Sequence, residues 1–539
     1  MKIVNSSQMQ EMDRQTIEKF HIPGLILMET AALRVVETLE KRFSPLKGKR
    51  ISVVCGMGSN GGDGLSIARQ LIARNGAQVT VWLAGDSSRF QGDADTSYQM
   101  LKDFGVTICP ASDLDLSKAE IVIDALFGTG IHGAVTGEPA RIIQVMNQSG
   151  KAVVSVDVPS GLDIDTGRAE GAVVQALLTV TYSLPKFGLL EYPGAAFTGE
   201  LIVAEIGMPS AVMDAPQIKA YVTEPVDLAT SFPARINNRD ANKGAFGHVT
   251  VFAGSDGFVG APVMVAEAAA RSGAGLVTLA VPESIQQVIM ARVSPVVMTK
   301  GLKQTSAGTF CSASLDSALS LAGQTKTVAL GPGIGLGDEV AAFVRAFIAE
   351  CAAPLVIDAD ALNLLAREPN RGRFLFKYRN YATVLTPHPG EMGRLLGIST
   401  KAVEEDRRSA VTLAASNYGC IVLLKGARTL IASPDGMLHL NTTGNPGMST
   451  GGAGDALTGV IAALLAQDLE PLKAAAFGAY LHGLAGDIAA QEQGGMIGLL
   501  ATDVLSHLPQ AIAHCQNSMD ELPKSVEVNM QGAHLKVAG

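Results

Sequence analysis

From residue 50 onward, short apolar runs alternate with longer amphipathic segments. The runs include RISVVC, AQVTVWLA, AEIVIDALF and LLTVTYSL, and stretches such as LSIARQLIARNG separate them. Runs that are apolar at nearly every position and rich in β-branched residues are typical of strands buried on both faces. The pattern therefore predicts an α/β fold with a doubly wound, mostly parallel sheet and helices on each side.

The alternation lapses between residues 207 and 243, where proline and polar residues predominate, and it resumes with HVTVFAG. A chain of 539 residues is also too long for one ordinary core. We therefore expect two such domains, at residues 1–215 and 225–510, followed by a tail of unknown order at 511–539.

Chemically useful side chains stand where the predicted strands end: Asp124, Asp157, Asp358, His388 and Lys425. Each alone could merely cap the next helix. Open parallel sheets bind ligands outside the carboxyl ends of their strands, so the set as a whole predicts binding sites at these edges.

Charge and cysteine usage narrow the class of protein. A formal net charge of −9 disfavours nucleic acid or an anionic membrane as partner. The six cysteines form no C-x-x-C pair, so neither a disulfide framework nor a zinc site is indicated. No apolar run has the length of a membrane span, and the N-terminus lacks a signal-peptide core. We expect a cytoplasmic enzyme that acts on small molecules, as a homo-oligomer.

A glycine-rich loop, GMGSNGGDG, follows the strand RISVVC and precedes a helical segment. Its first six residues match the dinucleotide fingerprint G-x-G-x-x-G, which leaves a dehydrogenase open. Asp63 argues against that interpretation, because a carboxylate at a helix N-terminus would repel a pyrophosphate.

The segments SNGGDG, DALFGTG and DVPSG, taken together, resemble the signature of the NAD(P)H-hydrate epimerase family over residues 1–206. The resemblance implies that Asn60, Asp124 and Ser160 hold a potassium ion through oxygen atoms, and that Asp157 takes part in catalysis. It also implies a hydrate pocket lined by Asp157 and two loops, namely Ser59, Asn60, Gly61, Gly62, Asp63 and Gly128, Thr129, Gly130, Ile131, His132, Gly133, Ala134. Ser59 departs from the family pattern, which usually has Asn there, and this departure puts one substrate contact in doubt.

A second glycine loop, GGAGD, precedes an apolar helical segment. Its glycines allow backbone N–H groups to converge on an anion, and the helix adds its positive end. We expect this positive end to keep Asp455 ionised, so that it can accept a proton from a substrate hydroxyl.

GGAGD resembles the anion-hole motif of the ribokinase-like superfamily, and GPGIG, DADALNLLA, TPHPGE and KGARTLI narrow the resemblance to its NAD(P)H-hydrate dehydratase branch. It implies that Asp455 is the base. The hydrate would contact Asp455, Ala261, one of Gly333 and Gly335, and His388, which lies between two prolines and has no purpose in a mere turn. The implied nucleotide-binding residues are Lys425, Gly426, Ala427, Arg428, Thr429 and Gly454, with Mg²⁺ accompanying the nucleotide.

The two resemblances imply a bifunctional isomerase and lyase that repairs NADH and NADPH hydrated at C6 of the nicotinamide. A Rossmann-like first domain would interconvert the R and S hydrates, with K⁺. A ribokinase-like second domain would dehydrate the S form at the expense of ADP, giving AMP and phosphate. ADP is expected rather than ATP because the family's fused chains are typically bacterial. The alternative is a sugar or vitamin kinase with an N-terminal nucleotide-binding regulatory module, since G-A-G-D also occurs in sugar kinases.

Overall fold

The chain divides into two compact units in the computed structural model, which describes residues 1–131, 133–227, 240–517, 525–529 and 534–538. The first unit comprises Met1–Lys219 with Pro523–Gly539, and the second comprises Ala220–Leu522. The division falls within the proline-rich interruption of the sequence pattern. Residues 228–239 of that interruption lie outside the described residues.

The first unit is built on a sheet whose strands follow the predicted apolar runs. Apart from β1 (Lys2–Ile3), which is not part of this sheet, the strands are β2 (Arg50–Cys55), β3 (Gln78–Leu83), β4 (Thr107–Pro110), β5 (Ile121–Ala125), β6 (Ala152–Val156), β7 (Leu178–Tyr182) and β8 (Glu200–Ala204). From β4 the order runs β4-β3-β2-β5-β6-β7-β8, with every neighbouring pair parallel. The prediction of a mostly parallel sheet is confirmed here.

Helices cover both faces of this sheet, so alternate residues of one strand enter different cores. Val53 packs into one hydrophobic cluster and Val54 into the other. The helices are Ser6–Glu18, Gly24–Phe43, Ser59–Asn75, Gly92–Lys102, Gly137–Gln148, Phe187–Leu190, Ala195–Thr198 and Ser210–Met213. Burial on both faces is the reason that the strand sequences are apolar throughout.

The second unit repeats this arrangement and adds antiparallel strands at one side. Its strands are β9 (Ala220–Val222), β10 (His248–Phe252), β11 (Leu276–Pro282), β12 (Met298–Leu302), β13 (Thr327–Leu330), β14 (Leu355–Ile357), β15 (Thr383–Leu385), β16 (Ile421–Leu424), β17 (Leu430–Ala432) and β18 (Leu438–Leu440). The order is β12-β11-β10-β13-β14-β15-β16-β17-β18-β9, and only the β16-β17 and β17-β18 pairs are antiparallel among these described strands.

Helices flank this second sheet as well. They are Gly260–Arg271, Gln286–Met290, Leu315–Ala322, Asp338–Glu350, Asp360–Ala366, Pro369–Lys377, Pro389–Leu396, Thr400–Glu405, Arg407–Tyr418, Ala453–Ala466, Pro471–Glu492 and Ala501–Asn517. None of the helices in the described ranges combines the length and apolarity that crossing a bilayer requires.

Regular structure extends past residue 510 in the described part of the C-terminal region. Helix Ala501–Asn517 continues past residue 510 because Ala511 and Cys515 keep its inner face buried. Two further strands follow, β19 (Ser525–Asn529) and β20 (His534–Ala538). They form an antiparallel hairpin, and β19 pairs antiparallel with β8 of the first unit.

In each sheet the strand order reverses once, and the reversal fixes where a ligand can enter. The reversal lies between β2 and β5 in the first unit and between β10 and β13 in the second. At such a point the loops that leave adjacent strands diverge to opposite faces, which opens a crevice at the carboxyl ends. The first glycine loop follows β2, and the segment GPGIG follows β13.

Backbone-to-backbone approach explains the glycines of the first loop. A Cβ added at Gly61 would lie 1.9 Å from the carbonyl oxygen of Gly56, whereas one at Gly58 would meet nothing within 4 Å. The loop therefore folds back on itself in a way that side chains would prevent.

This difference predicts that Gly61→Ala destabilises the first unit more than Gly58→Ala does. Forcing an atom into a filled space costs about 1–3 kcal/mol or more, whereas Ala at the helix N-cap costs about 1 kcal/mol or less. Urea unfolding followed by fluorescence of Trp82, the single tryptophan, which lies in β3, measures both variants. Equal midpoints for the two variants would contradict the close approach.

Candidate active sites

Asp124, the second-to-last residue of β5, accepts several hydrogen bonds. Its Oδ1 accepts from Ser160 Oγ at 2.6 Å, and its Oδ2 accepts from Ser160 N at 2.9 Å and Ser155 Oγ at 2.8 Å. Burial raises the pKa of the Asp124 carboxyl, and the hydrogen bonds from Ser160 and Ser155 oppose that rise. The structure thus brings two of the predicted potassium ligands together.

The third predicted ligand, Asn60, lies against the turn that follows β5, where a Cβ on Gly128 would be 3.2 Å from Asn60 Cβ. Both polar atoms of its amide are buried, and neither has a hydrogen-bond partner among the described residues. A buried polar atom without a partner costs about 1–3 kcal/mol. An oxygen-binding cation beside Asn60 Oδ1 would satisfy it, so the residues present fit such an ion.

The other predicted pocket residues of the first unit lie in the two expected loops. Ser59, Gly61, Gly62 and Asp63 form the first turns of helix Ser59–Asn75, and all but Ser59 are buried. Gly128–Ile131, Gly133 and Ala134 lie in the loop after β5, while His132 lies outside the described residues.

Asp63 is buried in the first turn of helix Ser59–Asn75. Burial, together with the nearby carboxyl groups of Asp157 and Asp13, raises the pKa of Asp63 well above its usual range. Burial of this side chain could not be read from its position in the loop.

Asp157, directly after β6, has a left-handed backbone with φ of 65°. Its Oδ1 accepts a hydrogen bond from Lys186 Nζ at 2.7 Å and another from Thr181 Oγ1 at 3.0 Å. The resemblance to the epimerase family extends to the stretch YSLPKFGL around Lys186, but it assigned this lysine no role.

In the second unit, a buried ion pair lies beside the glycine loop. Lys425 Nζ is 2.7 Å from Asp358 Oδ1 and 4.0 Å from Glu391 Oε2. Burial lowers the pKa of Lys425, but Asp358, Glu391 and Asp455 outweigh it and hold that pKa above its normal value. A Cβ on Gly454 would lie 3.2 Å from Lys425 Nζ, so the ammonium group stands at the start of helix Ala453–Ala466.

Asp455, in the first turn of that helix, differs from the expectation of a permanently ionised group. Burial and the charges of Asp358 and Asp360 raise the pKa of Asp455 to about 7, although Lys425 opposes the rise. The carboxyl group is therefore balanced between its two forms near neutral pH, which suits a group that must accept a proton and then release it.

Thr458, one turn further along, was missed by the sequence analysis. Its hydroxyl donates to Asp358 Oδ2 at 2.8 Å. Asp358 is therefore held on both oxygens, by Thr458 and by Lys425. The spacing of three residues from Asp455 on one helix was the available signal.

His388 has a structural role that the sequence interpretation denied it. It is the N-cap of helix Pro389–Leu396, where its Nδ1 accepts from Gly390 N at 3.0 Å and from Glu391 N at 3.4 Å, and Glu391 bonds back to His388 N. The statement that it has no purpose in a turn was wrong. About half of the side chain is exposed, and its Nε2 lies 3.4 Å from Glu391 Oε1.

The remaining predicted residues fall into two groups. Ala261 lies against Gly333 at the reversal between β10 and β13, since a Cβ on Gly333 would be 3.5 Å from Ala261 Cβ. Gly426, Ala427, Arg428 and Thr429 follow β16, where Arg428 Nη1 donates to Thr442 O at 2.6 Å and Thr429 Oγ1 donates to Gly426 O at 3.0 Å.

Comparison with known proteins covers both units. A family model described as NAD(P)H-hydrate dehydratase matches residues 249–510, and one described as YjeF-related protein N-terminus matches residues 24–188. The chain is 40% identical over 531 residues to a bifunctional NAD(P)H-hydrate repair enzyme of Moorella thermoacetica, covering 97% of this chain and 98% of that protein. It is 37% identical over 520 residues to the one of Thermofilum pendens, covering 95% and 96%.

A solved structure, the ADP/ATP-dependent NAD(P)H-hydrate dehydratase of Bacillus subtilis co-crystallised with ATP and Mg²⁺, is 26% identical with a TM-score of 0.48. It covers 55% of this chain and 98% of that one. The full-length relatives confirm the resemblance inferred from the motifs and set aside the dehydrogenase and kinase interpretations. With both units matched over nearly the whole length, the chain belongs to the family of bifunctional NAD(P)H-hydrate repair enzymes.

Proposed function

We propose that the chain repairs hydrated nicotinamide cofactors in two steps. The first unit interconverts the R and S epimers of NADH and NADPH hydrates, and the second unit dehydrates the S epimer at the expense of ADP. The observation that carries the second activity is the cluster of Asp455, Lys425 and Asp358 at the start of helix Ala453–Ala466. It combines a proton acceptor with a cation at a helix N-terminus that suits phosphate.

In the dehydration, Asp455 accepts the proton of the C6 hydroxyl group. The oxygen of that hydroxyl group attacks the terminal phosphoryl group of ADP. AMP leaves, and a C6 phosphate ester remains. The lone pair of ring nitrogen N1 then expels phosphate, and loss of a proton from C5 restores the dihydronicotinamide. Lys425 and the backbone N–H groups near Gly454 stabilise phosphate charge, and Mg²⁺ bound with the nucleotide would neutralise more of it.

In the epimerase unit, Asn60, Asp124 and Ser160 would hold K⁺, which supplies a fixed positive charge beside the substrate loops. The support for this assignment is the unpartnered Asn60 amide beside a carboxylate held in place by serine hydroxyls.

The overall proposal is tested by incubating the protein with mixed NADH hydrates and following absorbance of the reduced nicotinamide. ADP should drive recovery of the S form and, through epimerisation, of the R form as well. Comparison with ATP in the same assay tests the expected preference for ADP.

Asp455→Asn should abolish nucleotide-dependent recovery of NADH while epimerisation continues. Loss of a general base lowers a rate by about 10² to 10⁴. The absorbance assay measures recovery, and chromatographic separation of the epimers provides the internal control. Recovery at the wild-type rate would remove Asp455 from the mechanism.

The rate of dehydration should fall below about pH 7, because Asp455 must be ionised and its pKa is raised to about 7. Asp358→Asn removes a negative neighbour that raises this pKa, so the acid limb of the pH–rate profile should move to lower pH. Lys425→Met removes the opposing positive charge and should move the limb to higher pH, at saturating ADP. If the acid limbs of the two variants move in the same direction, Asp455 is not the titrating group.

Asp124→Asn should remove the effect of K⁺ on epimerisation and slow epimerisation selectively, because it keeps the shape of the side chain but discards the charge. Ser155→Ala is the matched control, since it removes one hydrogen bond to Asp124 without removing a proposed ligand. Epimer ratios over time, with K⁺ and with choline in its place, give the measurement. An unchanged K⁺ response in Asp124→Asn would refute the ion site.

A further inference from the structure

The ammonium group of Lys186 is fully buried and fully hydrogen-bonded. Its side chain is 0% exposed. Nζ donates to Asp157 Oδ1 at 2.7 Å, Thr181 Oγ1 at 2.8 Å and Tyr182 O at 3.1 Å. These three bonds use all three ammonium protons. A buried charge is costly unless it is paired in this way, so the side chain is held in one position.

The hydrogen bonds to the Asp157 carboxylate fall on one of its two oxygens, Oδ1. Thr181 Oγ1 and Tyr182 N also donate to Oδ1, at 3.0 Å and 3.2 Å. Among the described residues, the hydrogen bonds of this carboxylate all fall on Oδ1. The Asp157 side chain is 14% exposed. Oδ2 is therefore the oxygen left to meet a ligand.

The surroundings of Asp157 are otherwise acidic. Asp63 comes from helix Ser59–Asn75, and Asp13 comes from helix Ser6–Glu18. Burial raises the pKa of Asp13 to about 6, with Lys186 opposing and Asp157 contributing to the rise. Tyr182 faces the same carboxyl groups, and burial with the charges of Asp63 and Asp157 raises its pKa well above the usual value. Lys186 is the positive charge within this group of acids.

The N-terminal segment fixes Lys186 from both sides. Val4 N donates to Pro185 O at 3.1 Å, and Phe187 N donates to Val4 O at 3.4 Å. The residues before and after Lys186 are thus tied to the segment that leads into the helix carrying Asp13. Lys186 and the segment that leads to Asp13 are therefore joined by backbone hydrogen bonds.

We propose that Lys186 is a positioning residue of the epimerase unit, which supplies the counter-charge to Asp157 and keeps its Oδ2 turned toward the hydrate. The inference rests on the epimerase activity proposed above. In epimerisation, the C6–O bond breaks as the N1 lone pair forms a C6=N1 double bond, and the leaving hydroxide takes a proton from solvent. Water then adds to the other face of C6, Asp157 Oδ2 accepts its proton, and the π electrons return to N1. Release of that proton to solvent closes the balance.

The test is the pH–rate profile of epimerisation without nucleotide in the full-length protein, read by chromatography of the R and S hydrates. Lys186→Met keeps the length of the side chain and removes the charge. Its acid limb should move up by about one to three pH units, the range over which an opposite charge shifts a carboxyl group. At neutral pH the rate should fall by about tenfold or more, with partial recovery at high pH.

Two further variants separate charge from packing. Asp13→Asn removes a negative neighbour and should move the acid limb to lower pH. Thr181→Val removes a hydrogen bond but no charge, so it should lower the rate without moving the limb. Circular dichroism and urea unfolding followed by fluorescence of Trp82, which lies in the same unit, show whether each variant is folded.

The outcomes are distinct. A folded Lys186→Met with the wild-type profile, or with a rate lowered equally at every pH, overturns the positioning role. If Lys186→Met does not fold, Asp13→Asn decides: a limb at lower pH supports the proposal and an unmoved limb overturns it. A wild-type protein that fails to interconvert the epimers refutes the epimerase activity itself, which is a separate result.

Discussion

Strands buried on both faces constrain where this protein can keep its chemistry. Along β2 and β5 most side chains face one of two hydrophobic clusters, where a charged group in mid-strand would be cut off from water. The carboxyl ends of the strands are the places where the chain leaves the core. Both candidate sites follow from this, since Asp124 stands at the end of β5 and Asp358 directly after β14.

The two units hold their buried carboxylates by different means. Asp124 is surrounded by hydroxyl and backbone donors, which satisfy its oxygens but bring no compensating charge. Asp358 is paired with an ammonium group and a hydroxyl. A carboxylate without a counter-charge attracts a cation, whereas an ion pair beside a helix N-terminus can receive a phosphate. The kind of partner thus distinguishes the proposed ion site from the proposed nucleotide site on similar sheets.

The sequence predicted the parallel sheets, which the structure confirms, and pointed to both candidate sites, because periodicity and glycine loops are local properties. It could not predict protonation. Asp63 and Asp455 each stand at the start of a helix, which suggested ionised groups, but burial by distant segments raises the pKa of both. For His388, the position between two prolines suggested contact with a ligand and no structural role. In the structure its Nδ1 caps a helix. The stretch around Lys186 is part of the family resemblance, but the role of the lysine could not be predicted, because its hydrogen-bond partners are brought to it by the fold.

The hairpin β19–β20 has a consequence for how such a chain can be divided. Its strand β19 pairs with Leu201–Val203 of β8, although more than 300 residues separate them along the chain. A gene encoding residues 1–219 alone would produce a sheet whose β8 edge carries unpaired backbone N–H and C=O groups. Exposed edges of this kind invite pairing between molecules and aggregation. Splitting the two activities into separate genes would therefore require an additional edge-protecting segment on the first product, or a rearranged chain that carries the hairpin with it.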